Sequence, residues 1–266
     1  MNHFTLLNTR PAHQADALDE LVIQQGGESI NCPTIEIQWL AISDKEFVNG
    51  RPFDKAIFTS ANSVLGWYQI QQNLCAEAKE LFSQTEFYAI GKATQEKGLE
   101  LGLEVKTLSE NKFDSEHFLA HKKMLAVTGQ QIAIFKGVGG RSLIEETLSR
   151  RGATAKLFDV YKRKMAPFCV SKWNRFLKSN SPVLLLSSLE SWQNLVSGLL
   201  QENQNMVTSR EELIQAEFWL ELSTTVVMSQ RIADAMIVEG WKWPLIVVET
   251  QSNQGIVKAI LKSVHK

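Results

Sequence analysis

Residues 132–161, IAIFKGVGGRSLIEETLSRRGATAKLFDVY, constrain the fold of this chain more than any other segment. The apolar run 132–135 reads as a buried strand. It enters the turn Lys136-Gly137-Val138-Gly139-Gly140-Arg141. Ser142 followed by Glu145 has the spacing of a capping box, which predicts a helix starting there. Leu143, Ile144, Thr147 and Leu148 form one apolar face at helical spacing. Arg150 and Arg151 suit the negative end of that helix, and Gly152 can take the left-handed stop. Residues 153–160 return as a strand, and Tyr161 follows. Strand, turn, helix and strand in this order make a βαβ unit, and chains of such units fold with parallel sheets. Ligands of α/β folds collect where strands end and helices begin, so the glycine turn and Tyr161 are candidates for function.

The same alternation recurs along the chain. Residues 4–8 read as a strand, Thr9 as the cap of a helix with Pro11 in its first turn, and 28–32 as a second strand. Residues 33–39 alternate like an extended ribbon. A second series starts at Asp54: a strand over 55–58 enters a helix at Thr59-Ser60-Ala61-Asn62, and one over 87–90 enters a helix at Gly91-Lys92-Ala93-Thr94. A third series has strands over 182–186, 226–228 and 245–249. Its turns are Ser187-Ser188-Leu189-Glu190, Ser229-Gln230-Arg231 and Ser252-Asn253. Residues 90–102 align without gaps on 228–240, so two similar α/β domains are expected. Residues 1 to about 34 are too few to fold alone, and the third series lacks a full sheet. Together they complete one domain, 1–35 plus 164–266, around a second domain, 40–157. The crossings 35–40 and 157–163 are expected to pair as a two-stranded hinge. The stretch 200–218 reads as a polar helix.

Composition narrows the function. The chain has 266 residues, 44% hydrophobic and 21% charged, enough for sizeable cores. Its net charge of −1 argues against nucleic acid as the main partner. No apolar run reaches the ~20 residues of a bilayer span. The three cysteines, Cys32, Cys75 and Cys169, lie far apart and form no CxxC or even-numbered framework. A cytoplasmic protein with reduced thiols and no structural zinc is expected. Nothing resembles a heptad, so a monomer is expected.

Helix N-termini bind anions through unpaired N–H groups and the positive end of the dipole. This chain has small or hydroxyl residues at many such ends: Thr9, Thr59 and Ser60, Gly91 and Thr94, 137–140, Ser187 and Ser188, and Ser229. A polyanion held by many weak backbone contacts is one reading, and plain helix capping is the other. The 136–141 turn lacks GK[ST] and GxGxxG, so it is either a phosphate loop or a tight βα turn. His117 and His121 share a predicted helix face but have no evident third ligand, and HExxH is absent. No nucleophile elbow or activated cysteine is evident. Any chemistry therefore rests on positioning and electrostatics. Tyr161 stands in the return crossing. Its phenol can assist a departing hydroxide, or it can be a packing tyrosine.

The motifs together resemble the uroporphyrinogen-III synthase family over nearly the whole chain. They are Asn8-Thr9-Arg10-Pro11, Ile57-Phe58-Thr59-Ser60-Ala61-Asn62, Ala89-Ile90-Gly91-Lys92-Ala93-Thr94 and Lys136-Gly137-Val138-Gly139-Gly140-Arg141. Gly152-Ala153 leading to Val160-Tyr161, then Ser187-Ser188, and Ser229-Gln230-Arg231-Ile232-Ala233 complete the set. The resemblance implies two flavodoxin-like or Rossmann-like α/β domains joined by a two-stranded ladder. It implies cyclisation of the linear tetrapyrrole hydroxymethylbilane with inversion of its terminal pyrrole ring and loss of water, in haem biosynthesis, without cofactor or metal. Tyr161 falls on the family's tyrosine that assists hydroxide loss. Thr9, Arg10, Thr59, Ser60, Ala61, Asn62, Gly91, Thr94, Lys136, Gly137, Gly139, Gly140, Arg141, Ser187, Ser188 and Ser229 fall on its substrate-binding turns. The substrate is a polycarboxylate, and transient contact with the preceding deaminase is conceivable on this resemblance. The chain departs from the pattern at Lys136, where arginine is common, at Leu189-Glu190, and at Ser229, where glycine is common. A hinged two-domain module that closes on an anion without reaction is the rival reading, and a glycosyltransferase is a third.

Overall fold

The computed structural model describes residues 3–47, 50–109, 112–140, 142–202, 209–216, 219, 222 and 224–264. In chain order it holds β1 (Thr5–Asn8), α1 (Asp16–Gln24), β2 (Glu28–Asn31) and β3 (Ile35–Trp39). Next come β4 (Lys55–Phe58), α2 (Ala61–Asn73), α3 (Ala76–Glu80), β5 (Glu86–Ala89), α4 (Lys92–Glu100), β6 (Val105–Thr107), α5 (Ser115–Ala120) and α6 (Lys122–Leu125). Then follow β7 (Gln131–Gly137), α7 (Leu143–Arg150) and β8 (Thr154–Met165). The chain closes with α8 (Val170–Leu177), β9 (Pro182–Leu186), α9 (Leu189–Glu202), α10 (Arg210–Gln215), β10 (Thr224–Val227), α11 (Gln230–Val238), β11 (Leu245–Val247) and α12 (Asn253–Val264).

These elements divide into two compact units. One comprises Met1–Glu36 with Lys164–Lys266, and the other Ile37–Arg163. The boundaries fall inside β3 and inside β8, which are neighbours in the second unit's sheet. The first unit carries a five-stranded parallel sheet in the order β11-β10-β9-β1-β2. The second carries six strands in the order β3-β8-β7-β4-β5-β6, with parallel pairing from β8 to β6. The sequence explains why β7 and β9 are central. Ile132, Ala133, Ile134 and Phe135, and likewise Val183, Leu184, Leu185 and Leu186, are all buried. A parallel strand covered on both faces has this continuous apolar run and not an alternating one.

Each unit has its own core. In the first, Trp173, Trp192, Trp219 and Trp241 pack among the aliphatic residues of the sheet. Trp219 lies 4.9 Å from Trp241, edge to face, and Trp192 lies 5.3 Å from Trp241. Such pairs contribute ~1 kcal/mol each beyond burial. In the second, Phe47, Phe53, Phe58, Trp67, Phe82, Phe135 and Phe158 stack on one side of the sheet, and Ile57, Tyr88, Ile134 and Leu148 fill the other.

Several local expectations are corrected. Ser142 makes no cap: its hydroxyl bonds to the Glu146 side chain, and α7 begins at Leu143. Glu145 therefore closes no box. Thr9 caps nothing either, because it is fully buried and donates to the Leu185 carbonyl at 2.6 Å. A 3-10 turn, Ala12–Gln14, precedes α1. The strand expected over 153–160 runs on to Met165. Cys32 and Cys169 are not isolated: they form a disulfide with a Cα separation of 5.8 Å, and only Cys75 is a free thiol. Sequence distance hid this, because the whole second unit is inserted between them. The predicted polar helix over 200–218 resolves into the end of α9 and the short α10, with 203–208, 217 and 218 outside the described residues.

Candidate functional site

In the second unit, the C-terminal ends of β4, β5 and β7 present their turns on one edge of the sheet, since the strands are parallel. The β4 turn is held tightly. Thr59 donates both its N–H and its hydroxyl to the Phe135 carbonyl, at 3.2 and 3.3 Å. Ser60 is the N-cap of α2: its Oγ accepts from the Ser63 N–H, and the Ser63 hydroxyl reaches back to the Ser60 backbone. Ala61 opens the helix, and Asn62 is 7% exposed with its Oδ1 buried and unpartnered.

The β8 strand brings Tyr161 to this turn. The Tyr161 hydroxyl lies 3.1 Å from Ser60 Oγ, a hydrogen bond between residues 101 apart in sequence. The Tyr161 carbonyl accepts the Val138 N–H at 2.8 Å, and the Trp39 ring meets the phenol edge to face at 6.3 Å. Gly137 makes the approach possible. A Cβ there would stand 2.6 Å from Tyr161 Cζ, so any larger residue would displace the ring. The β7–β8 register shifts between Lys136 and Gly137, and this irregularity carries the strand into the turn. Gly139 and Gly140 both take positive φ, 78° and 90°, a conformation that suits glycine.

The remaining residues of the turns divide by what holds them. Lys136 is paired with Asp159 at 3.0 Å, so its charge is already compensated. Gly91 caps α4 through its backbone alone, and Thr94, one turn in, is buried. Arg141 lies outside the described residues. In the first unit, Ser188 Oγ accepts from the Ser191 N–H at 3.0 Å and caps α9, while Ser187 Oγ lies 3.3 Å from Ser191 Oγ. Ser229 is the N-cap of α11 but makes no side-chain cap bond. Arg10 donates to Asn253 Oδ1 at 2.7 Å, beside the start of α12, and burial pulls its guanidinium below the ordinary arginine range. No carboxylate pairs with it among the described residues.

Other candidates are spent elsewhere. His117 is hydrogen-bonded to Asp114 through Nδ1 at 2.7 Å, and His121 lies between α5 and α6, where it accepts the Lys123 N–H. They are not on one helix face, contrary to expectation, because α5 stops at Ala120. A cavity of about 390 Å³ in the second unit is lined by Trp67, Gln71, Leu74, Lys79 and Phe87 among others, and shares no residue with the turns described above. Sequence reading missed Ser63, Asn253 and Ser191 as partners of the turns. The signal for two of them was present: Ser60 and Ser63, and Ser188 and Ser191, repeat one Ser-x-x-Ser spacing after a strand.

A family model described as "Uroporphyrinogen-III synthase HemD" matches residues 16–258 of this chain. A curated uroporphyrinogen-III synthase of Proteus mirabilis is 28% identical over 165 residues, 60% of this chain and 80% of the relative. Among solved structures, a uroporphyrinogen-III synthetase from Helicobacter pylori superposes with a TM-score of 0.61 at 14% identity, covering 98% of this chain and 99% of the other. A mutant uroporphyrinogen III synthase from Thermus thermophilus gives 0.54 at 14% identity, covering 100% and 99%. At that identity the two structures speak to the fold alone.

Proposed function

We propose the function of this protein from one premise: the chain belongs to the uroporphyrinogen-III synthase family, whose model matches most of its length. Accordingly it is an enzyme of haem biosynthesis. It takes hydroxymethylbilane, a linear tetrapyrrole, and closes it to uroporphyrinogen III with the terminal pyrrole ring inverted and one water lost. The observation that carries the site assignment is the Tyr161 hydroxyl held 3.1 Å from Ser60 Oγ at the rim of a parallel sheet.

The steps follow from charge. The C–O bond of the terminal hydroxymethyl group breaks as Tyr161 donates a proton, so that the leaving group departs as water. Ser60 orients the phenol, and the tyrosinate left behind takes a proton back when the ring system rearomatises. The azafulvene cation is attacked by the far pyrrole at its substituted position, giving a spiro intermediate. That intermediate reopens and closes the macrocycle in the inverted sense. One assisting acid is worth about 10²–10⁴-fold. The carboxylates of the substrate are assigned to N–H groups in the turns at Thr59, Ser60, Ala61, Asn62, Gly91, Thr94, 137–140, Ser187, Ser188 and Ser229, with Thr9 and Arg10 on the β1 turn and Arg141 after the glycines. Backbone N–H groups at helix starts suit carboxylates without a charged clamp, which is consistent with Lys136 being neutralised by Asp159. The same reading has the protein act in the cytoplasm, as a monomer, with substrate passed on by the preceding deaminase. No helix among the described residues is long and apolar enough to cross a membrane.

The test is direct. Hydroxymethylbilane is generated in situ, the protein is added, and the porphyrinogen isomers are separated after oxidation. The type III isomer is expected. Type I alone, the product of spontaneous closure, would sink the assignment and favour a non-catalytic anion binder.

A further inference from the structure

We infer that Cys32 and Cys169 form a reversible redox latch, with Cys169 as the sulfur through which thiol–disulfide exchange enters. Four observations carry it. The Cα separation of 5.8 Å lies in the middle of the range that a disulfide requires. Cys32 is fully buried in the first unit's core, whereas Cys169 is partly exposed. Cys169 is the N-cap of α8, where the helix end places positive potential on its sulfur. In the first turn of that helix, the Lys172 ammonium is anchored 2.7 Å from the carbonyl of Asn31, the residue before Cys32. A partly exposed sulfur at a helix N-terminus is the setting of a reactive thiolate, and a sulfur sealed in an apolar core is the setting of its resolving partner.

The position of the pair gives the latch its purpose. Cys32 precedes β3 and Cys169 follows β8, the two strands in which the chain crosses between units. The Ala166 N–H already bonds to the Thr34 carbonyl at 3.1 Å, and Lys164 faces Glu36 at 3.4 Å. Oxidation adds a covalent link at this place, closing a loop of sequence separation 137 that contains the whole of Ile37–Arg163. A cross-link over so long a loop removes much of the freedom of the unfolded chain.

The chemistry balances with a low-molecular-weight disulfide such as oxidised glutathione. The Cys169 thiolate attacks one sulfur of that disulfide, whose S–S bond breaks, and one glutathione thiolate leaves and takes up a proton. The Cys32 thiol then loses its proton, and its sulfur attacks Cys169. The second glutathione departs as thiol. The two cysteines lose two electrons, and the small disulfide gains them. A reducing glutathione pool reverses both steps, so the latch opens under reducing conditions and closes as the pool becomes oxidised.

The experiment uses the full chain. It is equilibrated over a range of oxidised-to-reduced glutathione ratios, quenched in acid, alkylated and mapped by mass spectrometry. Linked Cys32 and Cys169 peptides are expected to appear as the ratio rises, with Cys75 remaining alkylatable. In Cys32→Ala the adduct should accumulate on Cys169. In Cys169→Ser, uptake of glutathione by Cys32 should be at least ~10-fold slower than that. The oxidised wild-type chain should melt at least ~5 °C above the reduced one. Cys32 and Cys169 both alkylated as free thiols, alongside Cys75, at every ratio in chain that retains native circular dichroism would overturn the latch. Equal modification rates in the two variants would overturn the entry through Cys169, and equal melting temperatures would overturn the stabilising role.

Discussion

Gly137 and Tyr161 form one device. The phenol reaches Ser60 only because nothing projects from Gly137, where a Cβ would meet the ring at 2.6 Å. Tyr161→Phe keeps the packing and removes the hydroxyl proposed as the proton donor. Type III formation should slow by roughly 10²–10⁴-fold, while loss of the hydrogen bond to Ser60 should cost only about 1 kcal/mol of stability. Unchanged turnover would take the tyrosine out of the mechanism. Gly137→Ala should cost at least as much activity and lower the melting temperature too, because the ring must move; full activity in that variant would show that the position of the phenol is irrelevant. Away from the site, Glu86 accepts from Lys123 at 2.9 Å and from the Tyr88 hydroxyl at 2.7 Å. Both hold its carboxyl below the usual range. A depressed carboxylate stabilises the fold above its unfolded value near 4.5 and loses that contribution as pH falls. Glu86→Gln should therefore be less stable than wild type at pH 7 in urea titrations, and the gap should close towards about pH 3. The pair is part-exposed, so the gap will be small. At this scale the sequence singled out Tyr161 as a candidate after a strand ending at 160, whereas it lies inside β8. Ser60 was named as a turn residue, but its pairing with Tyr161 was not legible, since no local pattern links residues 101 apart.

The elements repeat a single solution. After β4 and after β9 a serine caps the helix, and a second serine three residues on completes the turn. After β5 and after β10 a nine-residue helix, α4 or α11, runs to a glycine with positive φ, Gly102 or Gly240. The strict spacing made these elements readable, because cap and stop are chosen by local geometry. Ser60→Ala and Ser188→Ala should each cost ~1 kcal/mol in denaturant titrations. Each should lower turnover by less than tenfold, since the helix N–H groups assigned to the substrate survive. Abolished activity in either one would contradict a distributed anion site. Local reading failed where a distant group competed. Ser142 had the spacing of a cap, but its hydroxyl goes to Glu146. Thr9 had the type and position of a cap, but the Leu185 carbonyl of a neighbouring strand claims it.

For the whole molecule, the second unit is one continuous segment with its own sheet and with two core clusters made only of its own residues. A fragment spanning residues 37–163 is expected to fold alone and melt cooperatively by circular dichroism. A fragment that stays unfolded would mean that this unit depends on the rest of the chain. The α/β class with parallel sheets was decided by the sequence itself, because strand runs, helix stripes, glycine stops and serine caps are short-range properties with fixed periods. The strand order, the tryptophan cluster, the Ser60–Tyr161 hydrogen bond and the Cys32–Cys169 bridge were decided only in three dimensions. Each joins groups brought together by burying apolar strands side by side, and burial acts on surface area without regard to distance along the chain.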